Sequence, residues 1–164
     1  MLSWILLFLG LAPALFTREQ TVLKMSTMRA VILGGSGNVG SRVVAECVRN
    51  EAFTSVTLLS RRPLPEYDDA STHGNKVKVQ VVKSFDDLET RVDLTNHNVA
   101  FMLMGIGKPS NSTKEELEKV DCTIPVAFAA ACKKGGVDHI SVLSSVGADE
   151  SQDWSMITRT TAGG

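Results

Sequence analysis

The sequence predicts an α/β fold, a doubly wound parallel sheet of about five strands with helices on both faces. Three observations predict it. Short apolar runs alternate with segments of helical period along the chain. One run, Val99 to Met104, is continuously apolar, as expected of a central strand covered on both faces. A glycine-rich turn, Gly34 to Gly40, joins the first strand to the first helix.

Composition fits one folded domain. The chain has 164 residues, 43% of them apolar and 21% charged, enough for a sizeable core. Lys plus Arg number 17 against 18 Asp plus Glu, so neither nucleic acid nor an anionic membrane surface is a favoured partner. Aromatics make up only 5%, too few for a base-stacking platform. Cys47, Cys122 and Cys132 form no CxxC pair, and His73, His97 and His139 are scattered. No zinc site or disulfide framework is expected. The cysteines read as small hydrophobes on helix faces, a usage suited to a reducing compartment.

Residues 1–24 read as a hydrophobic extension outside the domain, which spans 28–164. Met1 to Phe16, MLSWILLFLGLAPALF, is short for a membrane span, which needs about twenty residues. It looks like a signal h-region with Ala12-Pro13-Ala14 as a loose cleavage site, but no basic n-region precedes it. Without Arg it makes a poor transit peptide. The reading is a cytoplasmic protein, with any intracellular-membrane contact made only through Met1 to Phe16. Met25 and Met28 would both serve as starts, and the sequon Asn111-Ser112-Thr113 is of a kind that arises by chance.

The first strand is Ala30 to Leu33. In the turn, Gly34-x-x-Gly37-x-x-Gly40 is a variant of the dinucleotide fingerprint. Gly34 turns the chain off the strand, Gly37 clears the backbone for a pyrophosphate, and Gly40 lets helix and strand pack closely. The helix N-terminus offers free N–H groups and roughly half a positive charge to phosphates. A Walker A loop fits poorly, because Ser41-Arg42 stands where Lys then Ser/Thr belongs. Val39, Val43, Val44, Cys47 and Val48 share the helix's apolar face. Asn50 to Thr54 reads as a polar break, and Ser55 to Leu59 as the second strand.

Ser60-Arg61-Arg62-Pro63 follows that strand. An acidic residue here would accept from the ribose 2′-OH of NAD; two arginines suit a 2′-phosphate. The expected cofactor is therefore NADP(H) in preference to NAD(H). Lys76 to Val82 alternates as a third strand, and Phe85 to Glu89 is a short helix or turn. Val99 to Met104 ends at Gly105-Ile106-Gly107. Gly105 either admits the backbone to the nicotinamide half or simply ends the strand. Glu115 to Lys134 reads as one long helix, with a kink or restart at Pro125 and a stop at Gly135-Gly136. His139 to Leu143 is the fifth strand.

GGSGNVG after a strand, LLSRRPL at the second strand end, Val120-Asp121, KKGGVDH and LSSVGAD together resemble the atypical short-chain dehydrogenase/reductases. The branch they resemble is the Tat-interacting-protein oxidoreductase-like family, over about Arg29 to Thr161. The resemblance implies an NADP(H)-binding Rossmann fold. Its phosphate loop would be Gly34, Ser36, Gly37, Asn38, Val39 and Gly40, with 2′-phosphate contacts at Arg61 and Arg62. It also implies a Ser, Tyr and Lys catalytic set, with Ser144 or Ser145 at the serine position. The Tyr-x-x-x-Lys pair is not found. Its positions fall on Ile157 and Thr161, or on Met156 and Thr160, and the chain's only Tyr is Tyr67. A general acid/base contributes roughly 10²- to 10⁴-fold, so ordinary carbonyl reduction should be crippled. The pattern reads as C-terminally truncated, without the sixth strand of such enzymes. The expectation is an NADP(H)-binding module without standard dehydrogenase chemistry. Two alternatives stay open: an active NADPH-dependent oxidoreductase using other groups, and a non-enzymatic interaction or regulatory protein. A protein partner or a homo-oligomer is compatible with each.

Overall fold

The computed structural model describes residues 27–68, 73, 75–106 and 111–144. Within them the chain runs β1 (Met28–Leu33), α1 (Asn38–Arg49), β2 (Phe53–Ser60), a 3₁₀ turn (Pro65–Tyr67), β3 (Val77–Val81), α2 (Leu88–Arg91), β4 (Val99–Met102), α3 (Lys114–Glu118), a π turn (Lys119–Thr123), α4 (Ile124–Gly135) and β5 (His139–Val142). The strands form one sheet in the order β3-β2-β1-β4-β5, and every pairing is parallel. The expected doubly wound architecture is the observed one.

Side-chain alternation in the strands sorts the core into two layers. Val31, Leu33, Leu59, Ala100 and Met102 face one side, where α2 supplies Leu88 and α4 supplies Ile124, Phe128, Ala131 and Cys132. Ala30, Ile32, Val56 and Leu58 face the other, against Val44 and Cys47 of α1. β1 is wholly buried from Ala30 to Leu33, as the middle strand must be.

Several boundaries differ from the sequence reading. β2 begins at Phe53, inside the expected polar break, because Phe53 pairs with Met28 and Met28 N–H donates to the Ala52 carbonyl at 2.7 Å. β4 is not buried on both faces: Ala100 and Met102 are buried, but Val99 and Phe101 are only half-buried. The long helix is two. A capping box starts α3: the Thr113 hydroxyl accepts from Glu116 N–H, and the Glu116 carboxylate accepts from Thr113 N–H. The π turn then relieves the strain that Pro125 would impose, and α4 restarts with the proline in its first turn. α4 stops where expected, at Gly136 in the left-handed region with φ +72°. Cys47 and Cys132 are buried, but Cys122 in the π turn is exposed rather than packed.

Candidate functional site

In an open α/β sheet, ligands bind outside the carboxyl ends of the strands, where the strand order reverses. That point here lies between β1 and β4. The chain leaves β1 toward β2 and β3, then returns to β4 on the opposite side. A cavity of about 470 Å³ opens there. Gly34, Gly35, Ser36 and Gly37 of the turn line it, with Ser60, Arg61 and Arg62 after β2, Phe85 after β3, and Leu103 to Gly105 after β4.

The turn's conformation explains its glycines. Gly34 has φ +92°, which an L side chain rarely adopts. A Cβ on it would also stand 2.7 Å from the Leu103 carbonyl carbon and the Met104 nitrogen, so β4 closes against the turn. A Cβ on Gly40 would lie 2.0 Å from the Gly34 oxygen. Gly40 is thus the close-packing residue that the spacing predicts. Gly37 N–H donates to the Gly34 carbonyl at 3.2 Å and Gly37 becomes the N-cap of α1, with no side-chain cap. The first helical bond is Ser41 N–H to the Gly37 carbonyl. The N–H groups of Asn38, Val39 and Gly40 precede it, and no acidic residue occupies the first turn. An uncapped, acid-free helix start can receive an anion.

Arg61 and Arg62 are exposed, and neither is ion-paired with a carboxylate among the described residues. Arg62 N–H donates to the Ser60 hydroxyl at 3.3 Å, which turns the chain sharply at the cavity's edge. The fold thus brings Gly34, Ser36, Gly37, Arg61, Arg62 and Gly105 to one cavity. A Cβ at Gly105 would meet nothing within 4 Å. Asn38 is exposed at the helix start. Val39, 45% exposed, lines a different cavity, shared by α1 with Phe53 of β2 and Phe101 of β4. Ser144 is exposed two residues beyond β5 and is not part of this lining. Ser145, Ile157 and Thr161 lie outside the described residues.

Sequence reasoning missed Leu59, Ser60, Leu64 and Phe85 as lining residues. A signal was available for Leu59 and Ser60, which close the carboxyl end of β2, but not for Leu64 and Phe85 in the loops beyond. It also missed Tyr67. Its hydroxyl donates to the Gly35 carbonyl at 3.2 Å, and its ring packs on His73 with centroids 5.2 Å apart. Burial first and Glu66 second push the Tyr67 hydroxyl's pKa above its usual value. The chain's only tyrosine therefore braces the glycine turn. The Cys47 and Cys132 thiols are pushed up to about 11 by burial, which makes them poor nucleophiles.

The NAD(P)H-binding family model matches residues 34–162, from the glycine turn onward. The chain belongs to this NAD(P)H-binding family. Among its relatives, the protein HTATIP2 of Rattus norvegicus is 30% identical over 132 residues, covering 80% of this chain and 52% of that protein. The mitochondrial protein FMP52 of Debaryomyces hansenii is 28% identical over 128 residues, covering 76% and 53%. This NAD(P)H-binding chain spans about half the length of the curated relatives it matches. Solved structures share its fold. UDP-glucose-4-epimerase from Stenotrophomonas maltophila with bound NAD superposes with TM-score 0.55 at 16% identity, covering 73% of this chain and 37% of the enzyme. Uronate dehydrogenase from Agrobacterium tumefaciens gives 0.54 at 20%, covering 72% and 41%. The chain is thus an NAD(P)H-binding protein with a Rossmann fold. Among the described residues, no helix is long and apolar enough to cross a membrane.

Proposed function

We propose that the chain is an NADP(H)-binding module that lacks standard short-chain dehydrogenase chemistry and acts through binding, as a regulatory or interaction domain. One observation carries the cofactor preference: two guanidinium groups, Arg61 and Arg62, not ion-paired with a carboxylate among the described residues, line the same cavity as the glycine turn. In this reading the α1 N-terminus and the Gly34–Gly37 backbone hold the pyrophosphate. Arg61 and Arg62 hold the 2′-phosphate, and Gly105 leaves room for the nicotinamide half. The bound cofactor would supply a hydride; the chain offers no tyrosine or lysine where the resemblance requires a proton donor, so transfer would be unassisted. Ser144 then merely follows β5, and neither it nor Ser145 polarises a carbonyl unless turnover exists.

Calorimetric titration with NADPH and NADH tests the reading. NADPH should bind more tightly than NADH, and Arg61→Ala should remove most of the difference. A charge-assisted hydrogen bond is worth about 1.5–3 kcal/mol, so roughly a ten- to hundredfold loss for NADPH is expected, with NADH spared. Equal losses for both cofactors would refute the 2′-phosphate role. Steady NADPH oxidation with a carbonyl substrate, abolished by Ser144→Ala or Ser145→Ala, would overturn the claim of inactivity.

A further inference from the structure

The glycine turn is held from outside by the loop that follows β2. Beyond Arg61 and Arg62 the chain passes through Pro63 and Leu64 into the 3₁₀ turn Pro65–Tyr67. Leu64 is buried in the core layer on the α1 side, and Tyr67 N–H donates to its carbonyl at 2.9 Å. That anchor brings the Tyr67 hydroxyl to the Gly35 carbonyl, 32 residues away in sequence, to which it donates at 3.2 Å. His73 steadies the ring. Its Nε2 donates to the Glu66 carbonyl at 3.2 Å, and its imidazole lies against the phenol. Burial, and then Glu66, hold the Tyr67 pKa above its usual value, so the hydroxyl is a donor throughout the neutral range.

This bond fixes one peptide group. The Gly35–Ser36 peptide is trans, so its C=O and N–H point in opposite directions. Gly35 and Ser36 line the cavity at the switch point, whereas Tyr67 does not. With the carbonyl turned to the loop, Ser36 N–H is turned away from it, to the cavity side. Among the described residues nothing accepts from that N–H. Glycine at positions 34 and 35 offers little resistance to rotation of this peptide. Rotated, the peptide would present an oxygen where it now presents an N–H. The oxygen repels an anion that the N–H attracts.

We propose that Tyr67 is a positioning residue for the dinucleotide: its hydroxyl holds the Gly35 carbonyl away from the cavity, so that Ser36 N–H faces the pyrophosphate. This rests on the reading that the glycine turn holds the pyrophosphate. NADH and NADPH share that group. In calorimetry on the full chain, Tyr67→Phe should therefore weaken both by the same factor, about two- to tenfold for one neutral hydrogen bond. A merely loosened loop would carry Arg61 and Arg62 with it and penalise NADPH alone. His73→Ala should weaken both cofactors less, and should add nothing in a Tyr67→Phe background, because it acts through the same ring. Should Tyr67→Phe fail to fold, His73→Ala carries the same comparison. By NMR, NADH should move the Ser36 amide proton downfield in the unaltered chain, and less so in Tyr67→Phe. Unchanged affinities in Tyr67→Phe, a loss confined to NADPH, or a Ser36 amide that ignores NADH would overturn the proposal. Gly37→Asp separates it from the reading beneath it. If Gly37→Asp abolishes binding of both cofactors while Tyr67→Phe changes neither, only the role of Tyr67 falls. If Gly37→Asp binds both as before, the pyrophosphate lies elsewhere and both fall.

Discussion

His97 shows how one buried polar group shapes the stability of this domain. Its Nε2 lies 2.9 Å from the Thr57 hydroxyl, and its Nδ1 is buried with no hydrogen-bond partner among the described residues. Burial pushes its pKa below the ordinary value of about 6.5. Above that pH the ring is neutral in both the folded and the unfolded chain, and His97 adds no pH dependence. Below it the unfolded chain takes a proton that the folded chain refuses, so stability falls until the folded pKa is reached. Urea midpoints should therefore drop as the pH falls below about 6.5. The exposed carboxylates Asp86, Asp87 and Asp93 act only in more acid solution, because their pKa values are held below the usual range by hydrogen bonds from Lys119, Arg91 and Thr95. His97→Gln keeps a partner for Thr57 and cannot titrate, so its midpoints should be flat over that window. A slope equal to wild type would move the effect to another group. Gly40 is a second single-residue constraint. With its Cβ position 2.0 Å from the Gly34 oxygen, Gly40→Ala must displace the turn from α1. Overpacking of this kind costs about 1–3 kcal/mol, which a thermal melt would register.

At the scale of elements, Thr113 is the most economical test of the helix pair. The box it forms with Glu116 caps a helix of only five residues, which would otherwise leave its first N–H groups unpaired. Thr113→Ala should cost about 1 kcal/mol in urea unfolding, and Thr113→Ser almost nothing; an equal cost for both would point to the methyl group instead. The Thr113-x-x-Glu116 signature is plain in the sequence, yet helical spacing alone placed the helix start at Glu115, one residue late. Pro125 was more legible, since a missing N–H has one consequence in a helix: the chain restarts. Strands β1, β3 and β4 were readable because apolar runs and alternation report burial directly. The start of β2 was not, because Phe53 stands behind the polar Asn50-Glu51 and only the partner strand makes it β. Val39 misled for a related reason. It has the helix spacing of a core residue, but the first turn of α1 projects past the sheet layer that covers Val44.

The whole molecule turns a strand order into a candidate binding site. Glycines at the end of β1, arginines at the end of β2 and the open backbone after β4 are far apart in sequence, and the β3-β2-β1-β4-β5 order gathers them on one edge. The glycine spacing and the arginine pair were visible in the chain. Leu64, Phe85 and the brace from Tyr67 were not, because nothing local marks a side chain that matters only once the sheet is assembled. Gly37 separates the fold from its ligand. It is the N-cap of α1 with φ −77°, and a Cβ there would meet only the Gly34 oxygen, at 3.5 Å. Gly37→Asp therefore fits the backbone and caps an uncapped helix, so the melting temperature without ligand should hold or rise. The same carboxylate would stand where the pyrophosphate is held in the proposed reading. For the unaltered chain, NADPH at a hundred times its Kd should add about 2.7 kcal/mol, which raises the melting temperature by roughly 5–10 °C for a domain of this size. Gly37→Asp should lose that rise while keeping its fold. A variant that melts normally and is still raised by NADPH as much as wild type would show that the dinucleotide lies elsewhere.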